Sequence, residues 1–84
     1  MDRDAMDTAE WVVRVLEEAE PLSTACKLAV RQEAYGLALD GMPKRTMLTK
    51  FCNDLFFTTH MREEVFDNDL QLRKDAGLYI SGET

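Results

Sequence analysis

The sequence predicts an all-α fold, a small single-domain bundle of three to four helices. Apolar residues recur at the spacing of 3.6 residues per turn in four successive segments, and Pro21, Gly41 and Gly77 follow three of them. Of the 84 residues, 45% are hydrophobic and 31% are charged, a composition typical of folded domains rather than disordered chains. We therefore expect one helical domain over residues 1 to 84, with residues 1 to 6 and 81 to 84 frayed.

The first helix is predicted over residues 8 to 20, because apolar and charged side chains there separate onto opposite faces. Asp7 is the expected N-terminal cap, with Glu10 three residues later as in a capping box. Pro21 prevents simple continuation of the helix. The apolar face comprises Trp11, Val12, Val15, Leu16 and Ala19.

The second helix is predicted to begin after Ser23 or Thr24 and to end at Leu39. Asp40 and Gly41 form its expected end, because glycine readily adopts the left-handed conformation that closes a helix. Its apolar residues do not form a single stripe. We therefore expect helix 2 to be central in the bundle and packed on two sides.

The third helix is predicted to start at Pro43, whose missing N–H costs nothing in a first turn. Its apolar side comprises Met47, Leu48, Phe51, Cys52, Leu55 and Phe56. This helix is expected to contribute most of the core area. Phe51→Ala is the single change that we expect to be most destabilising.

The fourth helix is predicted over residues 61 to 76, with Gly77 as its terminator. Phe66 and Leu70 point away from its main apolar face, which comprises Met61, Val65, Leu72 and Ala76. Two alternatives explain this. Either the helix breaks at residues 67 to 69, a run that we interpret as a cap or a turn, or a second apolar face meets another helix or another molecule. The tail at residues 78 to 80 is expected to dock on the bundle or to add a short strand.

Charge is unevenly distributed along the chain, and this pattern is the main indication of partners. Residues 1 to 20 carry seven acids and two bases, residues 21 to 50 two acids and five bases, and residues 51 to 84 seven acids and three bases. The segment charges are therefore −5, +3 and −4, which add to the net charge of −6. An acidic surface favours basic partners, whereas the basic middle leaves nucleic acid as an alternative.

Residues that would support catalysis or metal binding are sparse. Cys26, Cys52 and His60 lack the clustered spacing of a zinc site, so we expect core thiols, a surface histidine, no metal and no cofactor. His60 follows Cys52 by eight residues, about 12 Å along a continuous helix, which is too far for a nucleophile and its base. No phosphate-binding or nucleophile-elbow motif occurs, and we predict that the protein is not an enzyme.

A protein-binding surface is the preferred functional hypothesis. Its candidate residues are acidic and belong to helices 1 and 4: Glu10, Glu17, Glu18, Glu63, Glu64 and Asp67. They would bind a protein with a basic surface, such as one that processes nucleic acid. Small acidic domains of this size are common among phage-encoded inhibitors, anti-CRISPR proteins included, an analogy of size and charge alone. Ordinary solvated helix faces are the competing explanation.

A helix-turn-helix DNA binder is the alternative hypothesis. Helices 2 and 3, joined by a short turn containing Gly41, form a hairpin of that kind. Its base-reading candidates lie along helix 3: Lys44, Arg45, Thr46, Thr49, Lys50 and Asn53. The sequence pI near 4.6 opposes this hypothesis, because phosphate contacts need a basic domain. The competing explanation is that the basic residues neutralise the acidic helices 1 and 4 and do not contact DNA.

Self-association is a further alternative. A homodimer would bury four residues that are more apolar than the outer surface of a small monomer needs: Phe57, Phe66, Leu70 and Val13.

No segment has the roughly 18 apolar residues that span a bilayer, and the N-terminus lacks the features of a signal peptide. We therefore expect a cytoplasmic protein without membrane contact.

Overall fold

The computed structural model describes the backbone of residues 2 to 75 and the side chains of residues 2 to 70. The chain forms four helices in this part: α1 (Arg3–Ala19), α2 (Thr24–Leu39), α3 (Lys44–Asp54) and α4 (Thr59–Asp75). No strand occurs among the described residues. The predicted all-α fold class is therefore confirmed.

Helix α1 begins five residues earlier than the sequence predicted. Asp2 is its cap, because one of the Asp2 carboxylate oxygens accepts a hydrogen bond from the backbone N–H of Ala5 at 3.0 Å. The predicted cap at Asp7 is wrong. The buried face continues backwards through Ala9 and Ala5, whose small side chains give only a weak apolar signal in the sequence.

Helix α1 contacts each of the other three helices. It buries Ala5, Ala9, Val12, Val13, Val15 and Leu16. We expected α2 to be packed on two sides. Instead, α2 packs mainly against α1 and buries only Val30 and Ala34, while Leu28 and Leu39 on its other side are each 51% exposed.

The predicted ends of α2 are confirmed. The Ser23 hydroxyl accepts a hydrogen bond from the Cys26 N–H at 3.1 Å and caps the start of the helix. At the other end, Gly41 has a φ of 87°. The N–H of Gly41 donates to Ala38 and the N–H of Met42 donates to Leu37, each at 3.0 Å. These two hydrogen bonds form a Schellman motif with glycine at its left-handed position.

Helix α3 ends in the same motif, but a phenylalanine occupies the left-handed position. The N–H of Phe56 donates to Asn53 at 3.2 Å, the N–H of Phe57 donates to Cys52 at 2.9 Å, and Phe56 has a φ of 59°. Left-handed backbone costs a non-glycine residue roughly 1 to 2 kcal/mol. The turn directs Phe56 into solvent, where it is 90% exposed, and places Phe57 in the core. The prediction that Phe56 lies on the buried side of helix 3 is therefore wrong.

The core cluster contains buried residues of all four described helices, with Val30 and Ala34 as the contribution of α2. Met47, Leu48, Phe51 and Cys52 of α3 are all at most 2% exposed, as the apolar pattern of that helix predicted. Phe57 and Val65 join them. Leu55, in contrast, is only partly buried at the end of the helix.

Helix α4 begins at Thr59, where the Thr58 hydroxyl accepts a hydrogen bond from the Met61 N–H at 3.2 Å. It continues without a break through residues 67 to 69, so the first of the two alternatives, a cap or turn at these residues, is wrong. Asp69 is 1% exposed, which means that this part of the helix packs against the bundle. The predictions for Gly77, for the tail at residues 78 to 80 and for fraying at residues 81 to 84 lie outside the described residues.

Candidate protein-binding surface

The basic residues of α2 pair with acids of α1. Lys27 Nζ lies 3.1 Å from a carboxylate oxygen of Glu17, and Arg31 Nε lies 2.8 Å from one of Glu10. Both pairs are partly exposed, so each contributes little to stability. Their main effect is on the surface, because two of the six predicted partner-binding acids are already neutralised within the chain.

The basic residues of α3 are also engaged within the chain. Lys50 Nζ lies 2.6 Å from carboxylate oxygens of both Glu33 and Asp54. Hydrogen bonds to Asp54 and then Glu33 raise the pKa of Lys50 above its usual value, because both carboxylates favour the charged ammonium. Lys50 is therefore protonated at neutral pH, and its charge is balanced by α2 and α3.

Lys44 and Arg45 contact aromatic rings. Lys44 Nζ lies 5.1 Å from the centroid of the Trp11 ring, and the Arg45 guanidinium carbon lies 4.7 Å from that of Phe66. Arg45 Nη1 also lies 3.7 Å from a carboxylate oxygen of the buried Asp69. All five basic residues of the middle segment thus have a partner within the chain.

The candidate DNA-reading edge of α3 is occupied in the same way. Thr46, Thr49, Lys50 and Asn53 line an open groove of about 390 Å³, but Asp54 lines it as well. The Thr49 hydroxyl donates to the backbone oxygen of Arg45 at 3.1 Å, and the Asn53 side-chain oxygen accepts from Arg62. A carboxylate in the groove would repel phosphate, so the structure brings these residues together without forming a basic surface.

Three of the six predicted partner-binding acids have no ion pair among the described residues. Glu18 on α1 and Glu63 and Asp67 on α4 are exposed. Glu64 differs, because its carboxylate lies 2.8 Å from His60 Nε2. Helices α1 and α4 pack against each other, which places these acids on neighbouring elements.

The structure adds two acids that the sequence pattern did not indicate. Asp4 and Asp7 lie on the first turns of α1, are exposed and have no ion pair within residues 2 to 70. Together with Thr8, Trp11 and Lys44 they line an open groove of about 480 Å³. The missed signal was Asp2, whose capping role would have extended the helix over both residues.

We call Asp4, Asp7, Glu18, Glu63 and Asp67 the outer acidic surface. Arg3 and Arg14 of α1 are also exposed and reduce its net charge.

The residues predicted for self-association have different environments. Phe57 is 7% exposed and Val13 is 5% exposed, so neither lies on the outer surface. Phe66 is partly buried and packs against the core beside Arg45. Of these four residues Leu70 alone is clearly exposed, at 41%. The left-handed turn at Phe56 is the reason that Phe57 turns inward.

Cys52 and His60 do not form a catalytic pair. Cys52 is fully buried, and its burial raises the pKa of the thiol because a charged thiolate would lose its solvation. The His60 side chain is 80% exposed and pairs with Glu64 on the surface. Within the part of the chain that the structure describes, no group of three or more His, Cys, Asp or Glu residues is arranged to hold a metal ion.

The two thiols are expected to differ in reactivity. Cys26 is partly exposed, whereas Cys52 is fully buried with a raised pKa. Because the thiolate is the reactive species, a thiol reagent applied to the native protein should label one cysteine quickly and the other only after unfolding. Mass spectrometry of labelled peptides measures this. Equal labelling rates under native conditions would contradict the packing of α3.

Comparison with models of protein families, with curated proteins and with solved structures finds no match to this chain. None of the helices among the described residues is long and apolar enough to cross a membrane. Within residues 2 to 75, the fold and the surface define a bundle of four helices with exposed acids on α1 and α4, and with bases on α2 and α3 that each have a partner within the chain.

Proposed function

We propose that this chain is a non-enzymatic interaction protein that binds another protein through its outer acidic surface and thereby inhibits or regulates it. One observation carries the proposal. Each basic residue of the middle segment has a partner within the chain, whereas Glu18, Glu63 and Asp67 have no ion pair among the described residues. The charge left for a partner is therefore mainly negative.

A partner with a basic, nucleic-acid-binding surface fits this charge. Opposite potentials accelerate encounter and orient the two proteins, and both effects weaken as salt screens the charges. A small acidic domain seated on such a surface would also block nucleic acid from it. The inhibitory role follows from this competition, and the resemblance in size and charge to phage-encoded inhibitors such as anti-CRISPR proteins supports it by analogy alone.

The alternative is a helix-turn-helix DNA-binding regulator. The α2–α3 hairpin supports it, but the residues that would meet DNA do not. Lys50 bridges Glu33 and Asp54, and Arg45 lies beside Asp69. Releasing these cations for phosphate contacts would break intramolecular pairs and leave carboxylates at the interface. The acidic surface is therefore the preferred site.

Removing the charge of three acids tests the proposal. The variant Glu18→Gln, Glu63→Gln, Asp67→Asn is compared with the wild-type chain in affinity purification from the native host, followed by binding measurements on the purified partner. We expect binding to weaken roughly 10-fold or more, because each lost surface pair contributes up to about 1 kcal/mol. The wild-type affinity should also fall as salt is raised.

The matched control makes the same change in net charge on another side of the molecule. Ala25→Lys, Ala29→Lys and Gln32→Lys alter exposed positions of α2 and should leave binding nearly intact. If both triple variants bind equally, the outer acidic surface is not the site. A third variant carries Lys44→Gln, Arg45→Gln and Lys50→Gln. If this variant stays folded by circular dichroism but loses binding to the partner, while the acid variant keeps that binding, the DNA-binding alternative gains support.

A further inference from the structure

Two helices of this chain end in the same hydrogen-bonded turn with different residues at the left-handed position. At the end of α2 the residue is Gly41, with a φ of 87°, and at the end of α3 it is Phe56, with a φ of 59°. Glycine adopts this conformation without steric cost, whereas a bulky side chain there is uncommon. The local backbone therefore does not account for phenylalanine at position 56.

Packing does not account for Phe56 either. Its side chain is 90% exposed, while three other large apolar residues on the surface, Leu28, Leu39 and Leu70, are between 41% and 51% exposed. No core contact compensates for the strained backbone. Strained residues of this kind persist mainly where function requires them. An almost fully exposed aromatic ring is the type of residue that anchors protein interfaces.

We propose that Phe56 is the hydrophobic anchor of the interface and inserts into an apolar pocket bordered by basic side chains on the partner protein. This inference rests on the proposed function and adds the position of the contact, the corner between α3 and α4. The charge around that corner indicates the character of the pocket rim. Glu63 is exposed one turn into α4 and has no ion pair among the described residues, whereas Asp54 at the end of α3 pairs with Lys50.

The corner holds Phe56 in a defined position. Hydrogen bonds from the N–H groups of Phe56 and Phe57 close the end of α3, and Thr58 caps the start of α4. The side chains of Asn53 and Arg62 join the two helices across the corner. The buried ring of Phe57 fixes the chain from below. A ring presented by a rigid turn loses little conformational entropy on binding, which favours affinity.

Phe56→Gly separates a binding role from a structural one. Glycine suits the left-handed position, so the melting temperature should stay the same or rise, as at the equivalent position of Gly41. Binding to the partner purified with the wild-type chain should fall roughly 30-fold or more, the loss expected of an interface hot spot. Leu39→Ala, at an exposed apolar position on α2, is the control and should leave binding unchanged. A clear fall in the melting temperature of Phe56→Gly would overturn the proposal.

Site-specific photocrosslinking tests the anchor in host cells, where the partner need not be identified beforehand. The full chain carries p-benzoylphenylalanine in place of Phe56, or in place of Leu39 as control, and is irradiated in those cells. We expect an adduct from position 56 alone, to one other protein, with apolar residues next to Lys or Arg in the crosslinked peptide. No adduct, equal adducts from both positions, or an adduct between two copies of this chain would each overturn the proposal.

The two proposals can fail separately. If neutralising Glu18, Glu63 and Asp67 leaves both partner binding and the position 56 adduct intact, the acidic surface is wrong and the anchor stands. If the acid variant loses binding but position 56 forms no adduct, the acidic surface stands and the anchor is wrong.

Discussion

Phe51→Ala lowers the free energy of unfolding by about 3 to 5 kcal/mol, the range for removing a buried phenylalanine. Phe51 is 2% exposed and belongs to a core cluster to which α1, α2, α3 and α4 all contribute. Deleting its ring removes apolar contacts and leaves a cavity that helices on several sides cannot all close. Domains of this size are stable by roughly 5 to 15 kcal/mol, so the variant should be partly unfolded at moderate urea concentrations. Urea titration followed by circular dichroism measures the change.

Phe56→Ala is the matched control, with the same chemical change five residues later. Its ring is 90% exposed, so the free energy of unfolding should change by less than about 1 kcal/mol. If Phe51→Ala and Phe56→Ala lowered the free energy of unfolding by the same amount, the buried position of Phe51 and the exposed position of Phe56 would be contradicted. The pair therefore tests the left-handed turn at the end of α3, because that turn separates buried from exposed aromatic residues.

Leu16→Ala is expected to lower the free energy of unfolding by about 2 to 5 kcal/mol. Leu16 is fully buried on α1, which contacts α2, α3 and α4. A cavity at this position removes contacts near the centre of the bundle. Thermal and urea unfolding of the purified variant measure the loss.

Leu28→Ala is the control for that prediction, because Leu28 lies on α2 and is 51% exposed. Its expected cost is well under half that of Leu16→Ala, since much of the side chain already contacts water. If the two variants lost equal stability, Leu28 would be as well buried as Leu16, as expected of a helix α2 that is packed on two sides. The comparison thus decides between the structure and our expectation that α2 is packed on two sides.

The sequence predicted the elements whose signals are local. The limits of α2 were predictable because Ser23 caps one end and Gly41 closes the other, and each acts through hydrogen bonds to residues a few positions away. Phe51 was predictable as a core residue because the apolar pattern of α3 repeats at the helical period. The limits of α2 and the burial of Phe51 could both be predicted without information on which helices pack together.

The errors have a common origin in packing between distant segments. The start of α1 was missed because Ala5 is buried against the bundle, a role that alanine does not reveal in a pattern. Phe56 and Phe57 are adjacent, and one backbone angle decides which ring is buried. Residues 67 to 69 resemble a turn, yet Asp69 lies in a helix and beside Arg45 of α3.

The candidate site also has one property that the sequence predicts and another that depends on the fold. The excess of acids in the terminal segments and of bases in the middle is a property of the sequence. Which charges remain for a partner is not, because Lys27 reaches Glu17 and Lys50 reaches Glu33 only when α1, α2 and α3 are packed together. Ion pairing depends on distances between helices, and these distances are set by the fold.

By itself, the sequence determined an all-α domain, the ends of α2, the apolar side of α3 and an acidic overall charge. These follow from interactions within a helix or from composition. Only the tertiary structure decided that α1 and α3 each contact the other three described helices, that Phe56 faces solvent, and that Glu18, Glu63 and Asp67 stay exposed while each base of the middle segment has a partner within the chain. The physical reason is that burial and charge pairing depend on residues far apart in the chain, which come together only on folding.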